Sequence, residues 1–146
     1  MAAARFRFRP RYRGVAYSAV AVGAALAVAG AALGPLWLLG LAAGGALLGI
    51  TYLRSPTWRL EVVVDDDALE VPGRFRLPWP EVVRVIDTPA AQACFVDGGT
   101  PARSLLVPGD GVPAPYTFDD RAGLYAAILA HVAPDRVEPA EPTPPT

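Results

Sequence analysis

Arginine alternates with aromatic residues near the start of the chain, in the stretch RFRFRPRYRG at residues 5–14. Guanidinium groups contact phosphates and aromatic rings stack on bases, so this pattern is compatible with a nucleic-acid-binding arm. The position of the stretch favours another role, because 39 residues without a charged side chain or a histidine, 15–53, follow it directly. No second basic patch in the sequence supports a nucleic-acid footprint. We therefore interpret these arginines as the charge label of a membrane segment and predict no nucleic-acid partner.

Thiol and imidazole groups, which often act in catalysis, are scarce. Cys94 is the only cysteine and His131 the only histidine, so neither an intrachain disulfide nor a cysteine-based zinc site can form. Cys94 lies in an apolar run, which favours a small buried residue over a reactive thiol. His131 lies near the end of a helical pattern, where it suits the helix dipole better than a ligand or base role. No phosphate loop or hydrolase motif occurs. We predict no enzyme activity, no catalytic residue, no metal site and no cofactor.

The acidic side chains occupy positions that structural roles explain. Asp65, Asp66 and Asp67 are consecutive, and no further ligands follow at the spacing of a calcium-binding EF-hand loop. We interpret these three residues as a solvated turn. Asp119 or Asp120 precedes a helical pattern and can cap the N-terminus of that helix.

Two membrane-spanning helices are predicted from the uncharged segment. A helix rises about 1.5 Å per residue and the hydrocarbon core is about 30 Å thick, so one span needs roughly 20 residues. Gly34-Pro35 divides the segment into 15–33 and 36–53, because proline disfavours helix in the residue before it. A secretory signal peptide is one alternative, since residues 27–29 resemble a cleavage site, but the apolar segment continues well beyond them. A buried pair of soluble helices is the other, and the complete lack of charge disfavours it.

Small residues in both spans predict close helix packing, which in lipid depends on backbones that approach each other. Gly23 and Ala27 give the first span a small-residue face. Packing within the hairpin is the simpler interpretation, and contact between copies of the chain, as a homo-oligomer, is the alternative. The second span contains two G-x-x-x-G pairs, formed by Gly40, Gly44, Gly45 and Gly49.

Arginine also predicts the orientation of the spans. Positive residues stay on the cytoplasmic side, and the Gly34-Pro35 turn has none nearby. We therefore expect a cell (inner) membrane protein with both termini in the cytoplasm, and with Phe6, Phe8 and Tyr12 in the headgroup zone. The arginines assigned to topology and to the lipid surface are Arg5, Arg7, Arg9, Arg11, Arg13 and Arg54.

A second domain is predicted from residue 57 onward, where short runs of alternating apolar and polar residues indicate six or seven strands. Residues 119–132 have helical spacing instead. Residues 134–146 contain five prolines and are predicted to be disordered. The predicted core consists of Trp58, Leu60, Val62, Phe75, Trp79, Leu124 and Ile128.

Two segments, EVVVDDDALEV (61–71) and RFRLPWPEVVRV (74–85), resemble the bacterial pleckstrin-homology-like (bPH) domains of membrane proteins with two N-terminal spans. The resemblance implies an α+β fold: a transmembrane helical hairpin, then a small bent β-sheet or barrel closed by a C-terminal helix. The predicted organisation is a basic cytoplasmic segment (1–14), the hairpin (15–53), a PH-like cytoplasmic domain (57–133) and a disordered tail (134–146).

The resemblance implies a non-catalytic, membrane-anchored binding or scaffold module. Residues 55–146 carry seven Arg and all fourteen acidic residues, a formal charge of −7. This negative charge disfavours binding to an anionic lipid leaflet. We therefore expect the bilayer and an unidentified protein as partners. The alternative function is a subunit or assembly factor of a larger membrane complex, contacted through the Gly-rich spans.

Overall fold

The computed structural model of the chain describes residues 3–140, which form two compact units. One unit is a helical hairpin, Pro10–Trp58, and the other is a sheet domain drawn from both sides of that hairpin. The helices are α1 (Arg13–Leu33), α2 (Leu36–Leu53) and α3 (Arg121–His131). The strands are β1 (Ala4–Pro10), β2 (Glu61–Val64), β3 (Ala68–Val71), β4 (Phe75–Pro78), β5 (Arg84–Thr88), β6 (Ala93–Asp97), β7 (Leu105–Val107), β8 (Tyr116–Phe118) and β9 (Val137–Pro139).

The hairpin consists of two helices that are long and apolar enough to cross a membrane. They contain 21 and 18 residues, so each is roughly 30 Å long. Gly34 ends α1 in the left-handed conformation, with φ of 91°, and its N–H donates to the carbonyl of Gly30. Only 17% and 11% of the apolar windows of these helices are buried, whereas the core helix of a soluble protein is mostly buried.

Small residues make the contact between α1 and α2. Ala16, Gly23 and Gly30 are the buried residues of α1 and follow each other at seven-residue intervals, while Ala42 and Gly49 are those of α2. A Cβ atom added to Gly23 would lie 2.9 Å from the carbonyl oxygen of Ala42. Glycine is required there because the two backbones nearly touch.

The sheet domain contains a five-stranded and a four-stranded sheet, and these do not close into a barrel. The first sheet has the order β4-β3-β2-β1-β8, and the second has the order β7-β6-β5-β9. Helix α3 contacts β2, β7 and β8, and its Leu124 and Ile128 side chains are fully buried. Asp120 caps α3 by accepting a hydrogen bond from the N–H of Gly123 at 2.9 Å. The α+β class is therefore confirmed, but the barrel is not.

Strand β1 corrects the interpretation of the opening stretch. Residues 4–7 pair antiparallel with residues 61–64 of β2, with Phe6 opposite Val62. Phe6 and Phe8 are 6% and 7% exposed, so they belong to the core of the sheet domain and not to the headgroup zone. The period-two alternation of Arg and Phe is the pattern of a half-buried strand, and its apolar half faces the core. In the chain order, the hairpin therefore lies between β1 and β2, which pair with each other in one sheet.

The C-terminal segment also departs from expectation. Residues 134–136 form a 3₁₀ turn, and β9 pairs with β5 in parallel, from Val85 opposite Val137 to Asp87 opposite Pro139. The guanidinium of Arg136 donates to the carbonyls of Trp79, Pro80 and Val82 and fixes this segment. The predicted disorder is therefore wrong for residues 134–140, and its remaining part, 141–146, lies outside the described residues.

The predicted core residues differ in burial. Four of them are buried: Val62, Trp79, Leu124 and Ile128. Phe75 and Leu60 are half-buried. Trp58, also half-buried, lies in a 3₁₀ turn, Pro56–Arg59, that precedes β2. The acidic turn agrees with its interpretation, because Asp65 Oδ1 accepts hydrogen bonds from the N–H groups of Asp67 and Ala68.

Candidate functional site

The six arginines assigned to topology separate into two groups. Arg5, Arg7 and Arg9 alternate with Phe6 and Phe8 on β1 and are exposed. Arg5 forms an ion pair with Glu61 of β2 at 3.1 Å. The other three, Arg11, Arg13 and Arg54, lie at the ends of the helices in the hairpin unit. The arginines therefore do not form one continuous basic arm.

The four glycines of α2 also fall into two groups, one that faces α1 and one that faces away from it. Gly49 faces α1, because an added Cβ would lie 2.8 Å from the carbonyl oxygen of Ala16. Gly45 lies on the same side, because an added Cβ there would lie 3.8 Å from the carbonyl oxygen of Ala19. Gly40 and Gly44 have open space where a Cβ would be. One G-x-x-x-G pair thus packs the hairpin and the other faces away from it.

A groove of about 370 Å³ lies on the outer face of the four-stranded sheet. Its apolar lining includes Phe95 and Leu106, which stand opposite each other on β6 and β7. Their strand neighbours Cys94, Val96, Leu105 and Val107 are buried, so Phe95 and Leu106 point away from the core. Tyr116 completes the lining and donates a hydrogen bond to the carbonyl of Leu106 at 2.9 Å.

Hydrogen bonds fix the polar rim of the groove. Asp97 accepts from the N–H of Gly99 at 2.8 Å and forms an ion pair with Arg84 at 3.3 Å. Ser104 Oγ donates to the carbonyl of Thr100 at 2.7 Å and accepts from the N–H of Gly98. Contacts within the chain therefore fix the shape of the rim.

Two titratable groups on the strands around the groove, Tyr116 and Cys94, have raised pKa values. Burial raises the pKa of the Tyr116 hydroxyl, which therefore remains a hydrogen-bond donor. Burial, together with the negative charge of Asp87, raises the pKa of Cys94 to about 12. A thiol with that pKa is protonated and a poor nucleophile. The groove can thus bind through apolar contact and fixed polar groups, and it presents no thiolate.

The imidazole ring of His131 packs against other residues of the sheet domain. Its ring stacks on Trp79 at a centroid distance of 5.1 Å, and Nδ1 lies 2.8 Å from the carbonyl oxygen of Ala127. Nε2 lies 3.7 Å from Asp66 Oδ1. Within residues 3–140, no group of three or more His, Cys, Asp or Glu side chains is placed to hold a metal ion.

Sequence reasoning did not find the groove, although a signal for it exists. The runs ACFV and LLV are apolar at consecutive positions, so both faces of β6 and β7 carry apolar side chains. A strand with one solvated face normally alternates. The consecutive apolar residues therefore indicate a second apolar surface.

The chain was compared with models of known protein families, with curated proteins and with solved structures, and none of them matches it.

Proposed function

We propose that this protein is a non-catalytic, membrane-anchored binding or scaffold module of the cytoplasmic face. Its ligand is an extended apolar segment of a partner protein. The observation that carries this proposal is the outward pair formed by Phe95 on β6 and Leu106 on the edge strand β7.

An edge strand beside an apolar groove suits peptide recognition. The unpaired backbone groups of an edge can hydrogen-bond an added strand, and pockets beside it select alternate side chains. The groove volume, about 370 Å³, lies at the low end of the range of roughly 300–1,000 Å³ for ligand pockets. It accommodates one or two side chains of such a segment.

Charge also favours a protein over an anionic lipid as the ligand of the sheet domain. With β1 included, this domain carries ten Arg and fourteen Asp or Glu, a formal charge of −4. This is less negative than the −7 of residues 55–146 alone, but the sign still disfavours an anionic leaflet.

Membrane anchoring rests on the two apolar helices, and the proposed topology rests on their place in the chain. β1 precedes the hairpin, β2 follows it, and the two strands pair. A hairpin that crosses the bilayer twice returns its second end to the side of its first, as this pairing requires. Because arginines flank that end, we assign it to the cytoplasm.

The PH-like fold is part of the proposal. The antiparallel strands β1–β4 and β5–β7, followed by β8 and the helix α3, are compatible with a PH-like fold. The hairpin between β1 and β2 and the parallel strand β9 are additions to the expected element order. In PH-like domains the fold serves as a platform for partners, although a fold alone does not specify a function.

Site-specific photocrosslinking in native membranes tests the groove. A photoreactive amino acid at Leu106 should crosslink to one defined partner, and the same residue at Ala126, an exposed position on α3, should not. Leu106→Arg should abolish recovery of that partner, whereas Ala126→Arg should leave it unchanged. Equal crosslinking from both positions would refute the groove as the binding site.

A second function, membership of a larger membrane complex through the spans, is favoured by the outward Gly40 and Gly44. Replacing both with Leu introduces no contact inside the hairpin, so its fold should persist while a complex held by this face dissociates. Blue native electrophoresis of membranes measures this. An unchanged complex size would exclude the outward glycines as the contact.

A further inference from the structure

The two ends of the hairpin differ in chemistry. The turn between the helices consists of Gly34 and Pro35, with Trp37 nearby and no charged residue. The opposite end carries three arginines and four aromatic side chains, all within the hairpin unit. We define this group as the basic-aromatic end: Arg11, Arg13, Arg54, Tyr12, Tyr17, Tyr52 and Trp58.

Direct contacts order the basic-aromatic end. The N–H of Tyr12 donates to the hydroxyl of Tyr52 at 3.0 Å and so ties the start of α1 to the end of α2. The indole N–H of Trp58 donates to the carbonyl of Tyr52, and the two rings lie 5.1 Å apart, edge to face. These aromatic residues have the amphipathic character that favours the headgroup zone.

The arginines of this end have no acidic neighbour in the sequence. Residues 10–60 contain no Asp or Glu. Arg13 lies over the ring of Tyr17 at 5.7 Å and donates to its hydroxyl at 3.4 Å, which fixes its guanidinium without neutralising it. In the described part of the chain, neither Arg13 nor Arg54 forms an ion pair with a carboxylate, in contrast to Arg5 with Glu61.

We infer that the basic-aromatic end binds the headgroup phosphate of an anionic phospholipid through Arg13 and Arg54, with Arg11 beside them. A guanidinium binds a phosphate through two parallel hydrogen bonds, and a juxtamembrane arginine gains affinity for anionic lipid. The inference rests on the proposed membrane anchoring. It confines lipid binding to the hairpin and excludes the arginines of β1.

The test uses the full chain in lipid nanodiscs made from phosphatidylcholine alone or from equal amounts of phosphatidylcholine and phosphatidylglycerol. Native mass spectrometry of the released protein measures which lipids it retains. The wild type should retain phosphatidylglycerol preferentially. The double variant Arg13→Gln/Arg54→Gln should lower that preference by up to roughly 30-fold.

The matched control is Arg5→Gln/Arg7→Gln, which also removes two positive charges, but from β1. It should retain phosphatidylglycerol as the wild type does. An equal loss in both double variants, or no loss in either, would overturn the inference.

Two further measurements distinguish a failure of the lipid-binding inference from a failure of the proposed membrane anchoring. Inorganic phosphate added to phosphatidylcholine discs should not protect the protein against thermal unfolding, and protection that depends on Arg13 and Arg54 would identify a free-anion site instead of a lipid site. Failure of the wild type to enter discs would refute the anchoring itself. Entry into discs without lipid preference refutes only the present inference.

Discussion

The helical hairpin and the sheet domain bury opposite kinds of side chain. In the hairpin the buried residues are alanine and glycine, and large residues such as Leu33, Leu36 and Leu48 are 75–79% exposed. In the sheet domain the fully buried side chains include many large ones, among them Leu69, Leu77, Leu124 and Ile128. Water drives large apolar side chains inward, whereas lipid does not, so small residues can take the contact between helices. This difference agrees with the proposal that the hairpin lies in lipid and the sheet domain in water.

The largest loss of stability is expected for a substitution in β1, where the sequence passes from the sheet domain to the hairpin. Phe8 precedes the hairpin by only a few residues, but its ring lies 4.7 Å from that of Phe118 and 5.2 Å from that of Tyr116, inside the sheet domain. Phe8→Ala should destabilise that domain by about 3–5 kcal/mol, the usual cost of removing a buried aromatic ring. Thermal unfolding followed by near-ultraviolet circular dichroism in detergent measures the change.

Arg9→Ala is the control for Phe8→Ala, because Arg9 is an exposed residue of the same strand. Its effect should stay within about 0.5 kcal/mol. Equal effects of the two substitutions would mean that β1 does not belong to the sheet and that the sheet domain begins only after the hairpin.

The sequence predicts the two regions to different depths. The hairpin follows from local features, the absence of charge over residues 15–53 and the Gly34-Pro35 break, and α3 follows from the spacing of Leu124 and Ile128. The position of β1 does not follow, because Phe6 pairs with Val62 across the whole hairpin. Local periodicity identifies a strand but not its distant partner. The groove could not be predicted for the same reason, because Phe95 and Leu106 become neighbours only through the pairing of β6 with β7.

Gly49→Leu tests the close contact between α1 and α2 in the hairpin. Its added side chain would meet the carbonyl oxygen of Ala16 and a methyl group of Val20, both 2.8 Å from the ideal Cβ position. Overpacking of this kind typically costs about 1–3 kcal/mol, here in the contact between α1 and α2. Gly44→Leu, on the open face of the same helix, should cost far less. Resistance of the helices to unfolding in sodium dodecyl sulfate, followed by far-ultraviolet circular dichroism, compares the two variants.

The same Gly49→Leu variant should leave the unfolding of the sheet domain unchanged, because the two regions have separate cores. A matching loss of stability in both regions would show instead that they unfold as one cooperative unit.

A smaller effect is expected at the N-terminus of α3. Asp120→Ala removes the acceptor for the N–H of Gly123 and should destabilise the sheet domain by about 1 kcal/mol, as for other helix caps. Asp120→Asn keeps an acceptor oxygen and should recover most of that loss. Chemical denaturation with urea measures both variants. Equal stability of the Ala and Asn variants would contradict a capping role.

The smallest effect concerns pH and is confined to the sheet domain, because the helices of the hairpin contain no acidic residue. Hydrogen bonds from the N–H groups of Ala68 and Asp67 hold the pKa of Asp65 below its ordinary value of 3.8. A carboxyl group whose pKa is lowered by folding stabilises the folded state above its unfolded pKa, and that contribution is lost as the pH falls through the folded pKa. The wild type should therefore exceed Asp65→Asn in stability at neutral pH, and the difference should shrink once the pH falls below 3.8. Thermal unfolding of both proteins between neutral and acidic pH measures this convergence, and a constant difference at all pH values would show that the charge of Asp65 does not contribute.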